Sequence, residues 1–186
     1  MTPFAHITLA DRLNAFATAD RRHVEAERNG RTQSDGSQAA NAALNHRRGA
    51  CAELALSKWL GWRWLATVNT FNSIGDLQGK IEVRSKRFER WYMKLRPKTD
   101  AHKGDRIFVS LTSMSDDLLL WRVDGWQVGH AVMAQSPVKC FNCWEWQYPI
   151  TMLESPATLK AEAEYRRNAM HLPIRREYVQ AMGGMA

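Results

Sequence analysis

The chain of 186 residues carries 26 Lys and Arg against 19 Asp and Glu, a formal net charge of +7, with 45% hydrophobic residues and three cysteines. That size fits one domain with its own core, and the apolar fraction excludes wholesale disorder. There is no run of roughly 18 apolar residues for a membrane span, no basic start followed by an apolar stretch, and too few cysteines for a disulfide framework, so a cytoplasmic protein with no membrane partner is expected.

Residues Leu9 to Arg28 read as a first helix, with Leu13, Phe16, Ala17, Val24 and Ala26 set between charged positions. The polar, Gly-containing run from Asn29 to Ser37 reads as a loop. A second helix is expected from Ala39 to Leu60, with Ser37 as a candidate N-cap and Gly61 as its stop. Its second half, from Ala50 to Leu60, is apolar nearly all round, a pattern that calls for burial on more than one side. Beyond Gly61 the period changes. Runs rich in β-branched and aromatic residues at Trp64–Asn69, Lys80–Ser85, Trp91–Leu95, Arg106–Thr112, Leu118–Val123 and Gln127–Ala131 predict a meander of strands. Helical composition returns from Ser155 to Ala169, with Pro156 in the first turn. The expected fold is α/β, a mixed central sheet flanked by helices. A helical extension and loop occupy residues 1–36, the core 37–169 and a fraying tail 170–186.

The charge is concentrated. Between Lys80 and Lys98 eight basic residues meet only Glu82 and Glu89, a local excess of +6, interrupted by Trp91 and Tyr92. Such a stripe attracts a polyanion through counterion release and offers stacking surface, although a solvated hairpin face has the same composition.

Three carboxylates stand out against this background. Glu53 lies in the most apolar turn of the second helix, where a buried charge costs several kcal/mol unless paired or metal-bound. Pairing with Arg47, Arg48 or Arg63 is the structural alternative. Asp76 follows Gly75 at the entrance to a hairpin, and Glu82, Arg84 and Lys86 alternate along one strand face. Two carboxylates beside cations can bind a hard divalent ion, which activates water and offsets charge on a phosphate.

The ordered series Gly49-Ala50-Cys51-Ala52-Glu53-Leu54-Ala55-Leu56, Val68-Asn69-Thr70-Phe71, Gly75-Asp76, Ile81-Glu82-Val83-Arg84, Val123-Asp124-Gly125-Trp126-Gln127-Val128-Gly129-His130 and Tyr148-Pro149-Ile150 resembles the PD-(D/E)XK superfamily of restriction-endonuclease-like nucleases. It resembles more closely a group of small phage-encoded proteins assigned to that fold. The likeness runs from about Leu9 to Leu159. It implies a restriction-endonuclease-like core and metal-dependent hydrolysis of DNA in a phage or mobile-element setting. Asp76 and Glu82 would hold Mg²⁺ or Mn²⁺, with Glu53 as the auxiliary helix carboxylate. Arg84 stands where the superfamily usually has lysine; it stays protonated and cannot act as a base, while Lys86 on the same face could partly replace it. Ile74-Gly75 precedes Asp76 where proline is usual. Contacts to DNA would fall to Lys80, Arg87, Arg90, Trp91, Lys94 and Arg96.

Cys140 and Cys143 form a Cys-x-x-Cys pair with no second pair to complete a zinc site, so reduced thiols are expected and zinc is not. The rival reading is a catalytically inactive scaffold that binds nucleic acid or a host defence protein. A third is an oligomer, such as a homodimer, built on exposed tryptophans.

Overall fold

The computed structural model describes residues 3–30, 39–68, 75–78, 80–86, 92–140 and 143–171. The elements are β1 (Phe4–His6), α1 (Leu9–Arg28), α2 (Ala39–Leu60), β2 (Ile81–Lys86), β3 (Tyr92–Leu95), α3 (Pro97–Asp100), β4 (Ile107–Ser113), β5 (Leu120–Val128), α4 (Gly129–Met133), β6 (Val138–Cys140), β7 (Cys143–Pro149), a 3-10 turn (Ile150–Met152) and α5 (Pro156–His171).

Local chemistry fixes the two long helices. Thr8 accepts from the Asp11 amide at 3.1 Å while the Asp11 carboxylate accepts from the Thr8 amide at 2.8 Å, a reciprocal cap that starts α1. α2 ends as its sequence predicts. Gly61 adopts φ 74°, and the Trp62 amide folds back to the Ser57 carbonyl at 2.7 Å. The expected N-cap, Ser37, lies outside the described residues.

Four strands form a mixed sheet in the order β1-β5-β4-β2, with β2 parallel to β4 and the other pairs antiparallel. A second, antiparallel sheet has the order β3-β7-β6. The α/β class and the mixed sheet flanked by helices are therefore as expected, but the strands do not form a single meander. The chain leaves β2 for the second sheet before returning to lay β4 parallel to it.

One strand expectation fails. Of the run expected at Trp64–Asn69, residues 64–68 form no strand, and Asn69 lies outside the described residues; the segment is held by side chains of the two long helices. Trp64 Nε1 donates to Glu53 at 3.3 Å, and the Thr67 carbonyl accepts from Arg22 Nε at 2.8 Å. The runs expected at Leu118–Val123 and Gln127–Ala131 are instead one strand, β5, which ends in α4.

The main core lies between the mixed sheet and the helices. It gathers Ala50, Leu54 and Leu56 of α2, Ile81 and Val83 of β2, Val109 and Leu111 of β4, Trp121 and Val123 of β5, and Leu159 of α5. Ala15 and Ala19 of α1 belong to the same core, so the N-terminal helix is an integral layer of the domain rather than an appended one. On the opposite face a smaller cluster, Met93, Leu95, Phe108, Val132 and Tyr148, ties the two sheets together. The alternation of β2 thus places Ile81 and Val83 toward the helices and Glu82, Arg84 and Lys86 between the sheets. Among the described residues no helix is long and apolar enough to cross a membrane.

Gly125 allows the closing segment to reach β5. Its φ is 152°, and a Cβ there would stand 2.6 Å from the Glu154 carbonyl oxygen and 2.8 Å from Leu153 Cβ. Trp126 and Glu154 exchange backbone hydrogen bonds beside it. Gly125→Ala is expected to destabilise the protein by about 1–3 kcal/mol through this strain and crowding, read as a lowered midpoint in urea unfolding with an unchanged slope.

Candidate active site

Asp76 is positioned by a tight turn. Gly75 adopts φ 82°, and a Cβ there would lie 2.7 Å from the Ile81 carbonyl oxygen, so the backbone closes onto the start of β2 only with glycine. The Leu77 amide bonds the same carbonyl at 3.1 Å. Held in this way, the Asp76 carboxylate accepts the Val83 amide at 2.7 Å.

Arg84 is the cation at the centre. Its Nη1 lies 3.2 Å from the Val83 carbonyl oxygen, 3.4 Å from Glu82 Oε2 and 3.9 Å from Asp76 Oδ2. Its Nη2 donates to Asp100 Oδ1 at 2.7 Å, and the guanidinium carbon stands 4.9 Å from the centre of the Phe108 ring. Burial opposes the charge, but Asp100, Glu82 and Asp76 outweigh it and hold the pKa of Arg84 above its ordinary value. Glu82 is buried and has further cations: Lys103 Nζ lies 3.0 Å from Oε2, and Arg106 Nη1 binds Oε1. Asp100 accepts the Arg96 amide at 2.9 Å and lies 3.4 Å from Lys103 Nζ. Burial raises its pKa and Arg84 lowers it, with a net lowering.

Glu53 packs behind this group. Both of its oxygens accept from Arg22 of α1, at 2.6 and 2.7 Å, and Trp64 adds the third donor. The partner is thus none of Arg47, Arg48 and Arg63. Arg47 pairs with Asp20 at 2.9 Å instead. Asp76 is crowded by burial first, then by the charges of Glu53 and Glu82, and its pKa is pushed up to about 7.

Lys86 faces the same layer but a different acid. Its Nζ lies 3.0 Å from Asp124 Oδ2, a fully buried carboxylate that also accepts from Ser110, Thr112 and Arg122. Burial lowers the pKa of Lys86, and Asp124 offsets this in part. Asp76, Glu82 and Arg84 are therefore brought together, Glu53 adjoins them, and Lys86 belongs to a neighbouring group.

The basic stripe divides in the fold. Arg84 and Lys86 point inward, Lys80 is exposed and pairs with Asp105, and Lys94 and Arg96 approach Glu145 at 2.6 and 3.8 Å. Arg87, Arg90 and Trp91 lie outside the described residues, as do the side chains of Cys140 and Cys143. Cys51 is buried in α2, with its thiol pushed up to about 12 by burial.

Sequence reasoning missed Arg22, Asp100, Lys103 and Arg106. The one local signal is Lys103-Gly104-Asp105-Arg106, in which a glycine and an aspartate separate two basic residues; the Gly104 carbonyl accepts the His130 amide at 2.8 Å, anchoring the loop that carries both cations to Glu82.

Oxygen ligands from two carboxylates and a carbonyl suit a hard divalent cation. Asp76 Oδ2, Glu82 Oε2 and the Val83 carbonyl already converge on one positive nitrogen, with Arg84 Nη1 as the stand-in ion. The donors are of the oxygen type that such an ion takes. Among the described residues, however, no group of three or more His, Cys, Asp or Glu side chains is arranged to hold a metal. No protein-family model, curated protein or solved structure matches the chain.

Two outcomes follow from the buried charges. Arg22→Met leaves Glu53 buried and unpaired and should cost about 3–5 kcal/mol, whereas Arg22→Met with Glu53→Met should recover most of that loss in a denaturation double-mutant cycle. Asp76 binds its proton more tightly folded than unfolded, so its contribution to stability is fully present below its unfolded pKa and is lost as pH rises toward about 7. Asp76→Asn should remove a slope of up to about 1.4 kcal/mol per pH unit across that window, which makes the variant the more stable protein at pH 8 and not at pH 4.

Proposed function

We propose that the chain is a metal-dependent phosphodiesterase acting on DNA, with a restriction-endonuclease-like core and a working place in the cytoplasm of a phage-infected or element-bearing cell. The observation that carries this is the convergence of Asp76 Oδ2, Glu82 Oε2 and the Val83 carbonyl on a single cationic point. Asp76 and Glu82 are the ligands in this reading, for Mg²⁺ or Mn²⁺. A divalent ion bound there supplies an activated water and charge stabilisation at the phosphorus.

The chain's own residues do the rest. Asp100 retains Arg84 through Nη2 when Nη1 leaves the oxygen cluster, so the guanidinium stays within reach of a phosphate oxygen and neutralises charge developing on it. Arg84 cannot take the proton of the attacking water, so that proton leaves to solvent, and Lys103, bonded to Glu82 beside it, adds a second positive charge. Burial first, and then the charge of the Glu53 that Arg22 fixes, push the pKa of Asp76 up to about 7.

A second reading has its own observation. Both oxygens of Glu82 are already taken, Oε1 by Arg106 and Oε2 by Lys103 and Arg84. If those cations never yield, the arrangement is a charge-neutral binding scaffold for nucleic acid or a host protein, and it cuts nothing.

A plasmid and single-strand cleavage assay with Mg²⁺ or Mn²⁺ separates the two. Cleavage is expected only with metal and should fall at least about a hundredfold in Asp76→Ala and Glu82→Ala. Equal rates in wild type and both variants would sink the catalytic reading, and salt-sensitive DNA binding without cleavage would establish the scaffold.

A further inference from the structure

The oxygens assigned above to a divalent ion already hold a charge of the chain's own. Arg84 Nη1 stands 3.2 Å from the Val83 carbonyl oxygen, 3.4 Å from Glu82 Oε2 and 3.9 Å from Asp76 Oδ2. Mg²⁺ takes oxygen ligands at about 2.0–2.1 Å. The three oxygens cannot close to that distance while the nitrogen stays among them, and the two positive charges repel. Arg84 Nη1 and the ion therefore exclude each other.

The arginine is also held from behind. Its Nη2 donates to Asp100 Oδ1 at 2.7 Å, and its guanidinium carbon lies 4.9 Å from the centre of the Phe108 ring. Asp100 is fixed in turn by the Arg96 amide at 2.9 Å. The two nitrogens thus have separate tasks: Nη2 anchors the side chain, and Nη1 fills the space between the ligands. Arg106 carries the same charge but binds Glu82 at its other oxygen, Oε1.

We infer that Arg84 is a built-in plug of the carboxylate site: its Nη1 stands in the place of the divalent ion, and the site opens only when the guanidinium swings away about its bond to Asp100. The plug regulates the site proposed above and rests on the assignment of Asp76 and Glu82 as its ligands. It does not depend on cleavage.

Calorimetric titration of Mn²⁺ into the full chain, with no nucleic acid present, tests it. Arg84→Met vacates the space and leaves the acids partnered, Glu82 by Lys103 and Arg106, and Asp100 by Lys103 and the Arg96 amide. Arg106→Met removes an equal charge from the cluster with Nη1 still in place, so it measures the effect of charge alone. Arg84→Met should tighten Mn²⁺ binding at least about tenfold more than Arg106→Met does, and the gain should vanish when Asp76→Ala is added. Where a Met variant does not fold by circular dichroism, the Gln variant at the same position decides. An Arg84→Met gain no larger than that of Arg106→Met, or one that survives Asp76→Ala, overturns the plug and leaves the nuclease reading to its own assay. No Mn²⁺ binding in wild type or any variant removes the ligand assignment and the plug with it. The full Arg84→Met gain in a chain that cleaves no DNA upholds the plug and removes only the hydrolysis.

Discussion

The position of Arg84 is the constraint on which the region between the sheets depends. One guanidinium is hydrogen-bonded to Asp100, lies against Glu82, the Val83 carbonyl and Asp76, and stacks on Phe108. A half-buried arginine is stabilised when its donors are matched, and here they are matched by groups from the turn before β2, from β2 itself and from α3. The ion pair therefore performs a topological task. It ties the end of α3 to β2, the strand whose chain has just made an excursion through the second sheet. Phe108 gives the same cation an apolar floor from β4, so the parallel β2–β4 pair and the ionic layer above it form together.

Burial of charge explains where the basic excess goes. A run of eight cations between Lys80 and Lys98 looks from composition like a surface stripe. In the fold Arg84 and Lys86 turn inward while Lys80 stays exposed, and each meets an acid far away in sequence: Asp105 for Lys80, Asp100 for Arg84, Asp124 for Lys86 and Glu145 for Lys94. A stripe whose charges are matched internally attracts a polyanion less than its composition implies. The local excess instead persists where two cations share one buried acid, as Lys86 and Arg122 share Asp124.

How much of this was legible depended on range. α1 and α2 could be bounded from the sequence because an apolar pattern among charged positions and a terminal glycine are local signals. The facing of β2 was legible for the same reason, since alternation alone separates Ile81 and Val83 from Glu82, Arg84 and Lys86. What failed was long-range. Residues 64–68 run without a strand beside Arg22 and Glu53, which lie well before that segment and bind Thr67 and Trp64. β1 and β6, each only three residues, give almost no periodicity to read. In the candidate site, the carboxylates could be named from spacing. Their cations could not, because Arg22, Lys103 and Arg106 sit in segments whose composition is ordinary for exposed surface.

The same pairing sets the terms on which the site can act. Asp76, Glu82 and Asp100 face Arg84, Lys103 and Arg106, three acids against three bases, so with Asp76 ionised the cluster is already neutral. When Asp76 takes up its proton the balance becomes positive, which suits an anionic phosphate. A divalent ion bound there would displace the Asp76 proton and raise the net charge of the protonated cluster by one, which Arg84 could relieve by withdrawing Nη1 while Asp100 keeps Nη2. Lys103 has a comparable escape, because it bridges Glu82 and Asp100 and can settle on the second. Arg106 is buried against Glu82 and has farther to go. Oε2 is therefore the oxygen of Glu82 that would be freed most readily, since its partners Arg84 and Lys103 also have Asp100 to hold them.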